Sequence, residues 1–167
     1  QSSMPPKGYK WSLEQFATDS KKLLDQLGIA QVHFIGETIG GSIGMVFAEQ
    51  FPHMVKSLAV CTSPYNFAAV DTYKTYKDLV ETEGVRAWVE QTSSQRLPGK
   101  SEDHNRWYID QMANTSKQVV VETLEYLSTV DLTDRLHKIE CPTLVLVGAE
   151  SAMNTGGRVD SLSQLIP

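Results

Sequence analysis

Six residues, Gly36-Glu37-Thr38-Ile39-Gly40-Gly41, narrow the folds open to this chain more than any other stretch. They follow a short β-prone run, Val32-His33-Phe34-Ile35, which enters the first glycine directly. They lead into Ile43, Met45, Val46, Phe47 and Ala48, the pattern of a helix buried on most sides and closed by Phe51-Pro52. Val55 to Cys61 then reads as a second strand, closed by Thr62-Ser63-Pro64. A strand, a helix and a strand at this spacing form a βαβ unit, which requires parallel strands.

A strand running through Gly-x-Thr-x-Gly-Gly into a helix has the arrangement of a nucleophile elbow. The residue at its centre, Thr38, is lifted on a strained turn beyond the carboxyl end of the strand. Gly36 and Gly40 are expected to leave room for close backbone packing, and the helix directs its positive dipole end at the reacting centre. The Ile39 amide is a candidate oxyanion donor. As a bare pattern this is weak, because it arises often by chance; the flanking strand and small apolar helix supply the specificity. The bland alternative is an ordinary glycine-rich turn holding a phosphate.

Upstream, Ser12 opens a helix with Gln15 completing a capping box. Leu13, Phe16, Ala17, Leu23, Leu24 and Leu27 form its apolar stripe, and Gly28 stops it. From about Tyr65 to Val130 strand signals vanish and charge rises. Helices are predicted over 73–83, 85–91, 102–114 and 117–128, with Leu97-Pro98-Gly99 breaking the run. A short amphipathic helix is predicted over 131–137. Thr143-Leu144-Val145-Leu146-Val147 then reads as a central parallel strand, and a last helix runs from Arg158 to Ile166. The domain reading is a core over 1–64, a helical insertion over 65–130, and a second part of the core over 131–167.

Composition excludes several classes. The 167 residues are 41% hydrophobic and 21% charged, in the ordinary globular range. A net charge of -5 disfavours nucleic acid or an anionic membrane as partner. No apolar run approaches the ~20 residues of a membrane helix, and residues 1–6 lack the blocks of a signal peptide. Cys61 and Cys141 read as buried free thiols, which fits a cytoplasmic protein, and neither has metal-ligand spacing.

Residues 27–41, from Leu27 through Gly41, resemble the elbow region of α/β-hydrolases, nearest in pattern to the 3-oxoadipate enol-lactonase-like and esterase-like members. The resemblance continues through Ala48-Glu49-Gln50-Phe51-Pro52 and resumes at residues 139–148, which are similar to the strand before the acidic triad member. The predicted helices between match the family's cap. The resemblance implies an α/β-hydrolase fold, a partial parallel sheet with a helical cap insertion, and hydrolysis of an ester, lactone or related acyl substrate.

Carried over by resemblance, Thr38 is the nucleophile, in place of the usual serine. Its β-branch is an outlier in an elbow backbone and crowds the attack path. The acid is expected near Ser151, so Glu150, one position earlier, is the substitute that would orient a histidine. Asp160 is expected to face solvent. Ile39 and Glu37, with Trp107 and Trp88 of the cap, are assigned to oxyanion and substrate binding. Tyr73, Tyr76, Tyr108 and Met112 are further candidates for an apolar pocket wall, or for cap core. The family's catalytic histidine belongs after a further strand beyond Pro167, and none of His33, His53, His104 and His137 occupies its expected place. The family's early strands are likewise expected before residue 1.

The expectation is therefore a fragment, or a chain needing complementing segments of the same fold or a homo-oligomeric partner, since three strands leave sheet faces and edges poorly covered. No metal, nucleotide or organic cofactor is implied. Thr38 argues against epoxide hydrolases and haloalkane dehalogenases of this fold, which need aspartate there. The alternative is a non-catalytic α/β-hydrolase-like protein that binds a ligand or partner. A nucleotide-binding domain would need an acidic ribose ligand where Cys61-Thr62-Ser63-Pro64 offers none.

Overall fold

A computed structural model describes Pro5, residues 9–96, 99–148, Ser151 and residues 161–167. Ser12 caps the first helix, α1 (Leu13–Gln26), by accepting a hydrogen bond from the Gln15 amide at 3.0 Å. The Gln15 side chain donates onward to Asp19 at 2.8 Å. Gly28, at a φ of 66°, closes α1 in the left-handed region that glycine tolerates. Strand β1 (Val32–Glu37) then runs through Thr38 into α2 (Ile39–Gln50). A 3-10 turn over Pro52–Met54 leads to β2 (Val55–Cys61).

Four helices follow: α3 (Thr72–Glu83), α4 (Val85–Arg96), α5 (Glu102–Ala113) and α6 (Lys117–Leu127). The segment expected as a short helix near 131–137 is a 3-10 turn over Thr133–Lys138. Leu132 and Leu136 are both buried, and so short an apolar pair needs no full α-helical face. Strand β3 (Thr143–Leu146) and a terminal helix α7 (Leu162–Leu165) complete the described elements.

The three strands are parallel in the order β1-β2-β3. Thus β2 is central, and β3, expected to be central, forms an edge among the described residues. Its apolar run satisfied the pattern of a buried strand, but Leu144 and Leu146 are 55% and 47% exposed. They share a face with Ile35, which is 75% exposed, and the register places Ile35, Ala59 and Leu144 side by side. The opposite face carries Phe34, Leu58 and Val60 against α2. Gly44 permits that packing, because a Cβ there would lie 2.8–2.9 Å from the Phe34 ring and Leu58. Phe47, fully buried, stacks near Phe34 and Phe51 at centroid distances of 5.5 and 5.2 Å.

Contacts divide the described residues into two units. One holds those up to Tyr65, 133–148 and 161–167; the other holds Asn66–Leu132 with Ser151. In the first, Leu13 and Ala17 of α1 are fully buried, but Leu23 and Leu27 of the expected stripe are 56% and 62% exposed. The carboxyl-terminal turn of α1 runs past what covers its first half. In the second unit, Asn66 and Asp131 form an antiparallel bridge that ties the ends of the helical segment. Phe67, Val80, Val89 and Leu124 are among its core side chains. The two cysteines are free and half-buried rather than buried. Among the described residues no helix is long and apolar enough to cross a membrane.

Arg135 joins three elements of the first unit. Its guanidinium donates to Glu14 of α1 and to Glu49 of α2, the latter also through Nε at 2.9 Å, while Lys138 reaches Glu49 at 3.4 Å. Burial is the largest single influence on the Glu14 carboxyl and works to raise it, but the hydrogen bond and charge of Arg135, with the backbone and Ser12 hydrogen bonds, together lower the group below its ordinary 4.5. A depressed folded pKa contributes stability that is present above the ordinary value and lost as pH falls through the folded one. Arg135→Ala is expected to cost about 1–2 kcal/mol at pH 7 by chemical denaturation. The deficit should shrink on acidification below pH 4.5, where the wild type loses the same contribution. A deficit unchanged at pH 3 would show that packing alone, not the ion pairs, is lost.

Candidate active site

Strand β1 ends without a loop, so the chain must reverse into α2 within one residue. Thr38 takes that reversal at φ 51° and ψ -121°, as the amino-terminal cap of α2. A β-branched residue resists this region, and holding it there costs roughly 1–3 kcal/mol. The surroundings that enforce it are the Gly40 backbone and the Ser63 side chain. A Cβ on Gly36 would lie 2.4 Å from the carbonyl of Gly40, and one on Gly41 would lie 1.9 Å from Ser63 Oγ. Gly40 itself has open space where a Cβ would go, so the expectation that Gly36 and Gly40 make the room is corrected to Gly36 and Gly41. Gly40 is where the intruding atom would strike, which the sequence pattern does not distinguish.

Hydrogen bonds fix the turn from the neighbouring strand end. The Thr38 amide donates to the Cys61 carbonyl at 3.0 Å, and the Gly41 amide to Thr38 O at 3.1 Å. Ser42, fully buried, donates to Pro64 O at 2.6 Å and lies 3.4 Å from Thr38 O. Ser63, also fully buried, donates to Cys61 O at 3.1 Å. Thr62 is a second strained residue at φ 46°; its amide donates to Leu146 O at 2.7 Å. Sequence reasoning read Thr62-Ser63-Pro64 as a strand terminator and missed its bracing role. The one available signal was two small hydroxyl residues, Ser42 and Ser63, placed where parallel strand ends and a helix start converge.

Thr38 is half-buried and its hydroxyl has no hydrogen-bond partner among the described residues. The first-turn amides of Ile39 and Gly40 likewise have no acceptor there. The arrangement therefore presents a hydroxyl beside unengaged N–H groups at a helix start, which suits stabilisation of a developing oxyanion. Glu37, the last residue of β1, is exposed beside this turn.

No histidine is hydrogen-bonded to Thr38 among the described residues. His33 Nδ1 bonds Ser57 Oγ at 2.7 Å on the exposed sheet face, and His104 Nδ1 bonds Ser101 Oγ at 3.0 Å. His53 and His137 are exposed at 3-10 turns. Glu150 and Asp160 lie outside the described residues. Trp88 is buried on α4, whereas Trp107 is 63% exposed on α5, so the two do not share an environment. Among the described residues no cluster of acids, histidines or cysteines could hold a metal.

A profile of the alpha/beta hydrolase fold matches residues 1–167. A 3-oxoadipate enol-lactonase of Acinetobacter baylyi is 28% identical over 159 residues, 92% of this chain and 58% of that protein. A protein of Stutzerimonas stutzeri with the provisional name carbamate hydrolase RutD is 27% identical, covering 97% of this chain and 63% of its own length. The enol-lactonase structure from Burkholderia xenovorans superposes with a TM-score of 0.80 at 21% identity, over 93% of this chain and 62% of that one. The chain thus spans roughly three-fifths of the length of these relatives, and it belongs to the alpha/beta hydrolase fold family.

Proposed function

We propose that this chain supplies the nucleophile and oxyanion-binding part of a hydrolase acting on an ester, lactone or related acyl carbonyl. One observation carries the reading. A non-glycine hydroxyl residue is held in a strained backbone at the start of a helix, with its oxygen and the adjacent amides of Ile39 and Gly40 unengaged among the described residues. In this reading Thr38 Oγ1 attacks the carbonyl, the amide of Ile39 takes up the oxyanion, and the Thr38 proton passes to a histidine. Glu150 is the proposed acid that orients it. Because none of the four histidines is bonded to Thr38 among the described residues, the base is assigned to length that the relatives have and this chain does not span. The names of the enol-lactonase and carbamate hydrolase relatives support acyl chemistry as a class.

The β-methyl of Thr38 and the absence of a bonded base among the described residues favour a second reading, a ligand-binding member without catalysis. Added imidazole separates the two by standing in for the absent base. With a fluorophosphonate probe, the phosphorus–oxygen bond forms at Thr38, fluoride leaves, and imidazole takes the proton. Intact mass spectrometry is expected to show one label, accelerated at least about tenfold by imidazole, less than the ~100-fold or more of a positioned base because imidazole is free in solution. Thr38→Ser should label faster and Thr38→Gly not at all. No label in the presence of imidazole, even in Thr38→Ser, would contradict the hydrolase reading and leave the binding one.

The same strain gives a stability prediction of opposite sign. Thr38→Gly is expected to raise stability by about 1 kcal/mol, moving the melting temperature up by ~2–4 °C in a chain of this size. A melting temperature that falls would show that Thr38 is not strained.

A further inference from the structure

Among the described residues two that are not glycine have positive φ, Thr38 at 51° and Thr62 at 46°. They are neighbours at one end of the sheet. The register closes on the row Glu37, Cys61 and Leu146, and Thr38 and Thr62 are the next residues on β1 and β2. A β-branched residue is poorly suited to this region, and such strain persists only where the surroundings over-determine it. Glycine would end β2 in the same backbone without strain. What threonine adds to glycine is a hydroxyl.

That hydroxyl is engaged. The amide of Gly148, two residues past β3, donates to Thr62 Oγ1 at 3.4 Å. The Thr62 backbone is held at the same place. A trans peptide directs its C=O and its N–H to opposite sides. In the Cys61–Thr62 peptide the carbonyl accepts the Thr38 amide at 3.0 Å, and the N–H donates to Leu146 O at 2.7 Å. One rigid plane thus reaches from the Thr38 turn to the end of β3. Ser63, fully buried, donates to the same Cys61 carbonyl at 3.1 Å. Relaxing φ at Thr62 has to turn either this plane or Ser63, and both are hydrogen-bonded.

We propose that Thr62 is a positioning residue for Thr38. Its strained backbone holds the peptide that takes the Thr38 amide, and its hydroxyl ties that peptide to the chain leaving β3. The inference rests on the proposed role of Thr38 as nucleophile. Gly148 also begins the run Gly148-Ala149-Glu150, which carries the proposed acid in sequence, so the tie at Gly148 anchors the start of that run.

The test separates position from stability in the full chain. Thr62→Gly frees the backbone and removes the hydroxyl, whereas Thr62→Ser keeps the hydroxyl. Labelling of Thr38 by the fluorophosphonate with added imidazole is timed by intact mass spectrometry, and exchange of the Thr38 amide is followed by NMR. Thr62→Gly is expected to slow labelling about tenfold or more, because misplacing a reacting group by ~1 Å can cost ~100-fold. The Thr38 amide should exchange faster in the same variant, with no loss of melting temperature. Thr62→Ser should restore both rates to those of the parent. Unchanged labelling or unchanged amide exchange in Thr62→Gly would overturn the inference alone. So would rates that merely follow melting temperature across the variants, the mark of a purely structural residue. No label in the parent and none in Thr38→Ser would remove the hydrolase reading and this inference with it.

Discussion

Everything distinctive in the first unit follows from a backbone-to-backbone contact. The carbonyl of Gly40 sits where a side chain at residue 36 would begin, so β1 and the first turn of α2 touch with nothing between them. That contact forces the reversal into a single residue and puts Thr38 at positive φ. The strain is tolerated because β2 supplies the restraints: the Cys61 carbonyl takes the Thr38 amide, and Ser63 and Pro64 hold the start of α2 through Gly41 and Ser42. A turn this constrained cannot relax its hydroxyl into a local hydrogen bond, which leaves Thr38 Oγ1 and the amides after it unengaged among the described residues.

Periodicity and punctuation made most of the element order legible. Val55 to Cys61 is largely apolar and ends in Thr-Ser-Pro, and Ser12 and Gly28 bracket α1 with capping chemistry, so these boundaries follow from local physics. What local patterns could not convey is which neighbours an element has. The apolar run at Thr143–Leu146 has the same composition whether it lies at the centre or the edge of a sheet, and here its outer leucines are exposed. Leu23 and Leu27 fit the helical stripe equally well, yet nothing in their spacing says how far the covering element extends. The elbow was visible as a pattern, but the choice between Gly40 and Gly41 depends on Ser63, 22 residues from Gly41 in sequence and touching in space. Thr62 at positive φ left no trace at all, because a β-branched residue is the last type a turn rule would place there.

The two units use polar groups in opposite ways. In the first, buried hydroxyls are spent on backbone carbonyls and make the turn rigid. In the helical unit, Tyr73, Trp88 and Asn105 keep buried polar atoms without a partner among the described residues. Rigidity suits a reacting centre that must not reorganise. The exposed row of Ile35, Ala59 and Leu144 is of neither kind. It is one apolar face of a parallel sheet, a surface that such sheets ordinarily bury.

An alanine scan of the three elbow glycines, read by thermal melting, tests the central claim most directly. If these close contacts dictate the turn, Gly36→Ala against the Gly40 backbone and Gly41→Ala against the buried Ser63 side chain each lose about 3 kcal/mol or more. Gly40→Ala, with open space at its Cβ and a place in a helix's first turn, stays within about 1 kcal/mol of the parent or gains. Equal losses at Gly36 and Gly40, or a tolerated Gly36→Ala, would contradict the account.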